Sequence, residues 1–345
     1  MHIRTRYALP AAAAALSLLV TACGSKSADT ATSSPGSPSA SAAAPSTNPL
    51  TGLTMADAEQ PHPVYLVKVP DTPPSTWGGG AAGQVGLGKA DLITEELVEG
   101  GLCRLAALYY DKLPKEVGPV RSARLTDVGV AKPLNATIVT SGMAPVTFNG
   151  MKKAGVTFLN MNNPNIVRVT DLGNQPYDVA ANLRRIGAEA KKPASRPHDY
   201  LPFGTKALAK GKPAKSVTTS VGHAACTDRW SYTGQHYVMS NSFMAKGDDF
   251  TPDTIIAATI TTSSAPYRDP AGNPVPVSHF VGTGKALIFH GGQMVKATWV
   301  KPSEDSTVKF KDAAGKPLKI PAGRTWLDLV PGKGTFPAGS VSWGK

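Results

Sequence analysis

Apolar residues along this chain recur mostly at short intervals. The run Pro63-Val64-Tyr65-Leu66-Val67-Lys68-Val69 is β-branched and predicts a strand. Two further runs, 90–99 and 104–110, flank Gly100-Gly101, and a Gly-Gly joint between such runs predicts a hairpin. Period-two alternation would put Asp91, Glu95 and Glu99 on one face of the first strand, with Thr94 and Glu96 on the other. Three carboxylates in line repel one another unless cations face them. Cations follow in Gly118-Pro119-Val120-Arg121-Ser122-Ala123-Arg124. There Ser122 is placed to cap a helix through Asp127 towards Ala131, which Pro133 would end. Arg121 and Arg124 would flank the helix N-terminus, where free N–H groups favour an anion.

A strand is expected at 136–141, and 148–172 reads as short strands alternating with Asn-rich turns. Helical spacing returns at 179–192, with a second short helix around 206–210. From 217 onward the pattern is strand after strand: 230–239, 255–262, 277–281, 286–289, 296–300 and 326–330, separated by Gly-rich turns. The 34 glycines and 30 prolines agree with many turns and short strands. The expected fold is α+β, a mixed α/β N-terminal lobe over 48–212 followed by a β-rich C-terminal lobe over 213–345. The Pro- and Gly-rich stretch 70–88, with Gly78-Gly79-Gly80 at its centre, reads as a long loop, either functional or a surface excursion. It is not a phosphate loop, because no Lys-Ser/Thr pair closes it.

The N-terminus changes the picture from fold to location. Basic residues, an alanine-rich apolar run and Val20-Thr21-Ala22-Cys23 form a signal peptide over 1–22 with a lipobox-like end. The apolar run is too short to span a bilayer. Lipidation of Cys23 would anchor the chain outside the cytoplasm, on the cell membrane. Residues 23–47 then read as the lipidated Cys and a Ser/Ala/Pro tether, too poor in apolar residues to fold. Formal charge is +12, and losing Arg4 and Arg6 with the leader lowers it to +10. An exported basic protein meets anionic lipids and wall polymers first. The basic residues are nevertheless scattered, as on an ordinary solvated surface, and carry no nucleic-acid fold signature. Cys103 and Cys226 remain, either paired in an oxidising compartment or buried as free thiols.

Several stretches resemble the YerB-like family of bacterial lipoproteins, a two-lobed domain. They are Asn48-Pro49-Leu50-Thr51-Gly52-Leu53, Gly86-Leu87-Gly88-Lys89-Ala90-Asp91 running into Glu95-Glu96-Leu97-Val98-Glu99-Gly100-Gly101, and the Gly118–Arg124 block. Pro197-His198, Gly282-Thr283-Gly284-Lys285-Ala286 and Trp326-Leu327-Asp328-Leu329-Val330-Pro331 complete the set. The chain departs from the family pattern after Val67 and at Asp199, where Asn is usual. The resemblance implies a two-lobed lipoprotein and carries no activity with it.

The candidate chemistry is a carboxylate among arginines. Glu99, beside two glycines that admit a polymer to the backbone, is the candidate catalytic acid of a glycan-cleaving enzyme. Its alternative is a structural Glu–Arg pair. Glu95, Arg104, Arg121, Arg124 and His198 are the candidate ligand-binding residues. His198-Asp199 reads as an acid–base couple or as a surface group. Trp299, Trp326 and Trp343 could stack on sugars or pack in the core. No Gly-x-Ser-x-Gly, His-Glu-x-x-His or Cys-x-x-Cys occurs, so neither a serine hydrolase of that type nor a zinc enzyme is expected, and no metal or cofactor is assigned. Two functions compete: a membrane-anchored binding or scaffold protein for an anionic cell-wall polymer or envelope protein, and a glycan-cleaving enzyme using Glu99. Nucleic acid is not an expected partner.

Overall fold

The chain's central strands are buried on both faces, which sets where every charge on them must go. The computed structural model describes residues 46–345 apart from 56–61, 76–79, 81–82, 194, 206–207, 209–210 and 224–225. The signal peptide, Cys23, nearly all of the tether and most of the helix expected around 206–210 lie outside the described residues.

In the N-terminal half the strands are β1 (Tyr65–Asp71), β2 (Leu92–Leu97), β3 (Cys103–Tyr109), β4 (Thr137–Val139), β5 (Phe158–Leu159), β6 (Ile166–Arg168) and β7 (Val179–Ala181). The helices are α1 (Thr126–Ala131), α2 (Pro145–Ala154) and α3 (Leu183–Glu189). The rest is strand: β8 (Phe203–Gly204), β9 (Lys212–Pro213), β10 (Ser216–Ser220), β11 (Thr227–Tyr232), β12 (Tyr237–Met239), β13 (Thr254–Arg268) and β14 (Pro274–His279). Then come β15 (Gly282–His290), β16 (Gln293–Lys301), β17 (Lys309–Lys311), β18 (Pro317–Leu318), β19 (Ile320–Pro321), β20 (Thr325–Gly334) and β21 (Ser340–Gly344).

One mixed sheet runs β18-β17-β16-β15-β13-β20-β2-β3-β1-β4-β5, with β14 beside β13 and β9 beside β16. A four-stranded sheet, β12-β11-β10-β21, packs on one of its faces. The expected two-lobed arrangement fits, but the α+β label is corrected: 42% of residues are in strands and 13% in helices, so the fold is β-rich overall. The lobes are also joined more closely than alternating patterns suggest. Strand β20, near the C-terminus, lies parallel between β2 and β13, which makes the sheet continuous across both halves. Burial on both faces makes β20 read as an unbroken run rather than an alternating one.

Each face of the sheet has its own core. Leu66, Leu92, Ala106, Leu108, Leu327 and Leu329 point to the face that α1 covers. Val67, Val69, Ile93, Leu105, Trp326 and Val330 point to the face that the small sheet covers. Two local expectations also change. Residues 145–154 form helix α2, with Pro145 in its first turn and Gly155 (φ 71°) as its left-handed C-cap, although the apolar spacing there is weak. The stretch expected to be helical from 179 starts as β7, and α3 begins only at Leu183, where the Asn182 side chain accepts from Arg185 N at 3.0 Å.

The Gly100-Gly101 joint closes the β2–β3 hairpin with φ of 71° and 72°, a region that side chains disfavour. A Cβ on Gly101 would also lie 2.3 Å from the His223 ring. Next to it, Cys103 of β3 and Cys226, just before β11, form a disulfide that ties the main sheet to the small one across 123 residues. A loop of that length predicts that reducing the bond costs roughly 2–5 kcal/mol. Urea unfolding with and without reductant would measure the loss; identical midpoints would show that packing alone holds the sheets together.

Candidate functional site

Two polar clusters grow from neighbouring strands and face opposite ways. On the α1 face, Lys68 of β1 reaches Glu96 of β2 and Asp127 of α1, each at 2.7 Å, with all three side chains essentially inaccessible. Burial, and then the Asp127 charge, push Glu96 up to about 7 against the pull of Lys68.

Glu99 joins the same face. The expected alternation ends at Leu97, and the Val98-to-Gly101 turn swings Glu99 across to the side of Glu96 and Arg104. Glu95 stays on the opposite face, and Asp91, just ahead of β2, is spent on turn contacts. Asp91 accepts from Tyr110 N, Asp111 N and Asn48 Nδ2 at 2.6, 3.0 and 2.7 Å. The three carboxylates expected in line are therefore separated by a turn on one side and a strand end on the other.

Around Glu99 the guanidinium groups converge. Arg104 Nη2 lies 3.0 Å from Oε1, Arg124 Nε donates to Oε2 at 2.7 Å, and Arg124 Nη2 also meets Oε1. Arg104 Nη1 is held by Ser122 O at 2.6 Å, and Arg124 Nη1 by Ala123 O at 2.8 Å. Burial alone would raise the Glu99 pKa, but the Arg104 charge and the Arg124 hydrogen bonds prevail and hold it at about 2. Ser122 does not cap α1. Instead Asp127 Oδ2 accepts from Arg124 N at 2.7 Å, and the helix is only six residues long.

Arg121 completes this side. Its Nη1 donates to Pro176 O at 3.2 Å, and its guanidinium carbon sits 4.9 Å from the Tyr177 ring centroid. Among the described residues no carboxylate pairs with it. Glu99, Arg104, Arg121, Tyr177 and Asn273 line a cleft of about 320 Å³. Of the expected binding residues, Arg104, Arg121 and Arg124 thus gather with Glu99. His198 does not: it is exposed in a loop where Asp199 pairs with Arg196 rather than with the imidazole. Glu95 is absent from the cleft because its side chain points through the sheet to the other core.

On that other face Glu95 meets Asp71, Asp228 and Asp328. Burial pushes Asp71 and Asp328 up to about 6, and Glu95 and Asp228 well above the usual carboxyl range; neighbouring carboxylate charges add to the rise at Asp71, Glu95 and Asp228, whereas hydrogen bonds pull Asp328 back. Of the tryptophans, Trp299 and Trp326 are core residues, 1% and 0% exposed, and only Trp343 is partly open.

A larger cleft than that around Glu99 was not visible in any one stretch of sequence. Lys89, Lys112, Lys115, Arg184 and Lys192 surround about 940 Å³, with Asp111 as the single carboxylate and His62 at the wall. None of these five cations makes an ion pair among the described residues. A smaller cleft shares Lys89, Asp111 and Lys112 and runs to Asn48 and Met55, so the basic cleft lies beside the point where the chain enters the fold. Its cations come from the β1–α1 region and from α3, segments about 70 residues apart in sequence.

Residues 50–196 match the family model described as the DUF3048 N-terminal domain, and residues 217–327 match the corresponding C-terminal domain, both of unknown function. The chain belongs to the DUF3048 family. A Bacillus subtilis protein named "Putative lipoprotein YerB" is 26% identical over 327 residues, covering 86% of this chain and 89% of that one. The crystal structure of YerB from the same organism superposes with a TM-score of 0.66 at 22% identity, over 86% of this chain and 99% of that one. In this DUF3048 chain the N-terminal match carries the basic cleft, whereas the Glu99 cleft takes Glu99, Arg104 and Arg121 from the first match and Asn273 from the second. The carboxylate cluster needs both halves: Asp71 and Glu95 come from the first, Asp228 from the second, and Asp328 lies one residue beyond it.

The depressed Glu99 pKa sets an acid limit. A carboxyl at about 2 when folded and near 4.5 when unfolded stabilises the fold fully above pH 4.5 and loses that contribution as pH falls towards 2. The contribution is on the order of 3 kcal/mol. Acid unfolding should therefore steepen below pH 4.5, and Glu99→Gln should remove that slope and lower neutral-pH stability by a similar amount, because two buried guanidinium groups lose their anion. Urea titrations of both proteins from pH 2 to 7 would test this; parallel curves would disprove it.

Proposed function

We propose that this chain is a lipid-anchored, extracytoplasmic binding protein that holds an anionic, phosphate-bearing polymer of the cell envelope. The carrying observation is the 940 Å³ cleft with five unpaired cations and one carboxylate, set beside the entry of the chain into the fold. A concave basic surface concentrates polyanions and is screened by salt. It adjoins the smaller cleft that Asn48 lines, near the first described residues of the fold. The lipid anchor rests on the lipobox-like site, on the name of the Bacillus subtilis relative, and on the Cys103–Cys226 disulfide, which suits an oxidising compartment. Among the described residues no helix is long and apolar enough to cross a membrane.

The glycan-cleaving alternative needs a carboxyl that keeps its proton at neutral pH while facing a cleft. Glu99 faces a cleft but is held at about 2. Glu96, at about 7, is buried against Lys68 and reaches no cleft. The cleft around Glu99 is better suited to seating one anionic group on Arg121, since the charges of Arg104 and Arg124 are already engaged.

Calorimetric titration of the purified secreted chain with soluble polyphosphate, at low and at physiological salt, tests the reading. Binding should weaken with salt and fall at least tenfold in the triple variant Lys112→Glu, Lys115→Glu, Arg184→Glu, whereas Lys309→Glu, Lys311→Glu should leave it within twofold. A wild-type chain without measurable affinity, or equal losses in both variants, would remove the cleft from the argument. Labelled fatty acid incorporation in cells, lost on Cys23→Ser, tests the anchor separately.

A further inference from the structure

Four carboxyl groups lie buried in the interface between the two sheets with no base beside them among the described residues. Asp71, Glu95, Asp228 and Asp328 are 5, 1, 2 and 0% exposed. Among the described residues none of them makes an ion pair. The carboxylates of Glu95, Asp228 and Asp328 approach one another within 4.8 Å, and Asp71 lies as close to Glu95. Other buried carboxylates are answered, Glu96 by Lys68, Glu99 by Arg104 and Arg124, and Asp91 by three N–H donors.

The oxygens themselves lack partners. Gln84 Nε2 donates to Asp71 Oδ1 at 3.0 Å, and Trp326 Nε1 to Asp328 Oδ1 at 2.7 Å. No hydrogen bond reaches Glu95 Oε1 or Oε2, Asp228 Oδ2 or Asp328 Oδ2. A fifth oxygen shares this position. Thr219 stands directly opposite Asp228 in the β10–β11 ladder, points inward with it, and lies against Asp328. It is 1% exposed, and its hydroxyl is likewise without a hydrogen-bond partner.

Protons would remove the charge, and a protonated carboxyl can donate to its neighbour, but each proton serves one pair of oxygens and leaves the remaining acceptors unsatisfied, at a cost of about 1–3 kcal/mol each. A divalent cation removes both problems together. The donors are all hard oxygens, and the nearby sulfurs are closed off in a disulfide, so a soft metal has no ligand here. Mg²⁺ keeps several waters in strict octahedral geometry, whereas Ca²⁺ accepts six to eight oxygens, including bidentate carboxylates, in irregular arrangements. Three carboxylates able to bind through both oxygens, with a hydroxyl beside them, supply an all-protein oxygen shell of the size Ca²⁺ takes.

We propose that Glu95, Asp228 and Asp328, with the Thr219 hydroxyl, hold one Ca²⁺ ion that bonds the small sheet to the main sheet. Glu95 and Asp328 come from the main sheet, and Asp228 and Thr219 from the small one. The ion is therefore a second cross-link beside the Cys103–Cys226 bond. The proposal is independent of polymer binding, and the basic-cleft triple variant should keep its full Ca²⁺ response.

The test uses the secreted chain with its disulfide intact, refolded at pH 7 in EDTA, Ca²⁺ or Mg²⁺, and Tb³⁺ as a luminescent probe. Trp326, hydrogen-bonded to Asp328, is placed to sensitise bound Tb³⁺. Ca²⁺ should raise the unfolding midpoint above that in EDTA, with Mg²⁺ raising it less, and sensitised emission should saturate at one ion per chain. Glu95→Gln keeps the shape and relieves repulsion. It should melt in EDTA no lower than wild type yet bind Tb³⁺ at least tenfold more weakly, and Asp228→Asn, from the other sheet, should do the same. Equal melting of wild type in Ca²⁺ and EDTA without Tb³⁺ emission would mean that protons alone satisfy the cluster, and would overturn the proposal. So would a pair of variants that bind Tb³⁺ as tightly as wild type.

Discussion

The structure depends on a sheet covered on both faces. Strands β1, β2, β3 and β20 have no solvent side, so each charged residue on them must find its counter-charge within the protein or hold a proton or ion. Lys68, Arg104, Glu95, Glu96, Asp71 and Asp328 all occupy such positions. Strand parity then decides their company. Lys68, Glu96 and Arg104 face α1 and become an alternating ion network. Asp71, Glu95 and Asp328 face the small sheet, where the residues opposite are Asp228 and Thr219 rather than bases. One sheet thus carries a neutralised polar layer on one side and a purely acidic one on the other.

Much of this was legible in the sequence at the level of elements. The Gly100-Gly101 hairpin, the strand at 65–69, the strand series after 217 and the gathering of Arg121 and Arg124 near Glu99 all follow from turn chemistry and local periodicity. The partners of Glu95 were not legible. Period two places Glu95 and Glu99 together only while the strand continues, and a turn of four residues is enough to part them. Nor does any local pattern show that β20 inserts between β2 and β13, because pairing partners more than 200 residues apart leave no mark on periodicity. The basic cleft was hidden for the same reason: scattered lysines read as a solvated surface until the fold brings Lys112 and Lys192 to one concavity.

Charge is also divided by depth. The formal excess of +12 understates how basic the outer surface is, because several of the 24 acidic residues are buried in the two polar layers. Removing Asp71, Glu95, Asp228 and Asp328 from solvent leaves the surface cations with fewer anions among them. That separation sharpens the field over the basic cleft and favours a polyanionic partner over a neutral glycan.

The two devices joining the sheets act against one force. Carboxylates contributed by both sheets repel across the interface, and in a low-dielectric interior that repulsion tends to separate the layers. Cys103 lies on β3 next to Asp71 in the paired register, and Cys226 lies two residues before Asp228, so the covalent bond is placed beside the carboxylates that repel. The bond and the proposed ion thus act at the same edge of the interface, one covalently and the other by removing the repulsion, and a bond of this kind persists in oxidising compartments.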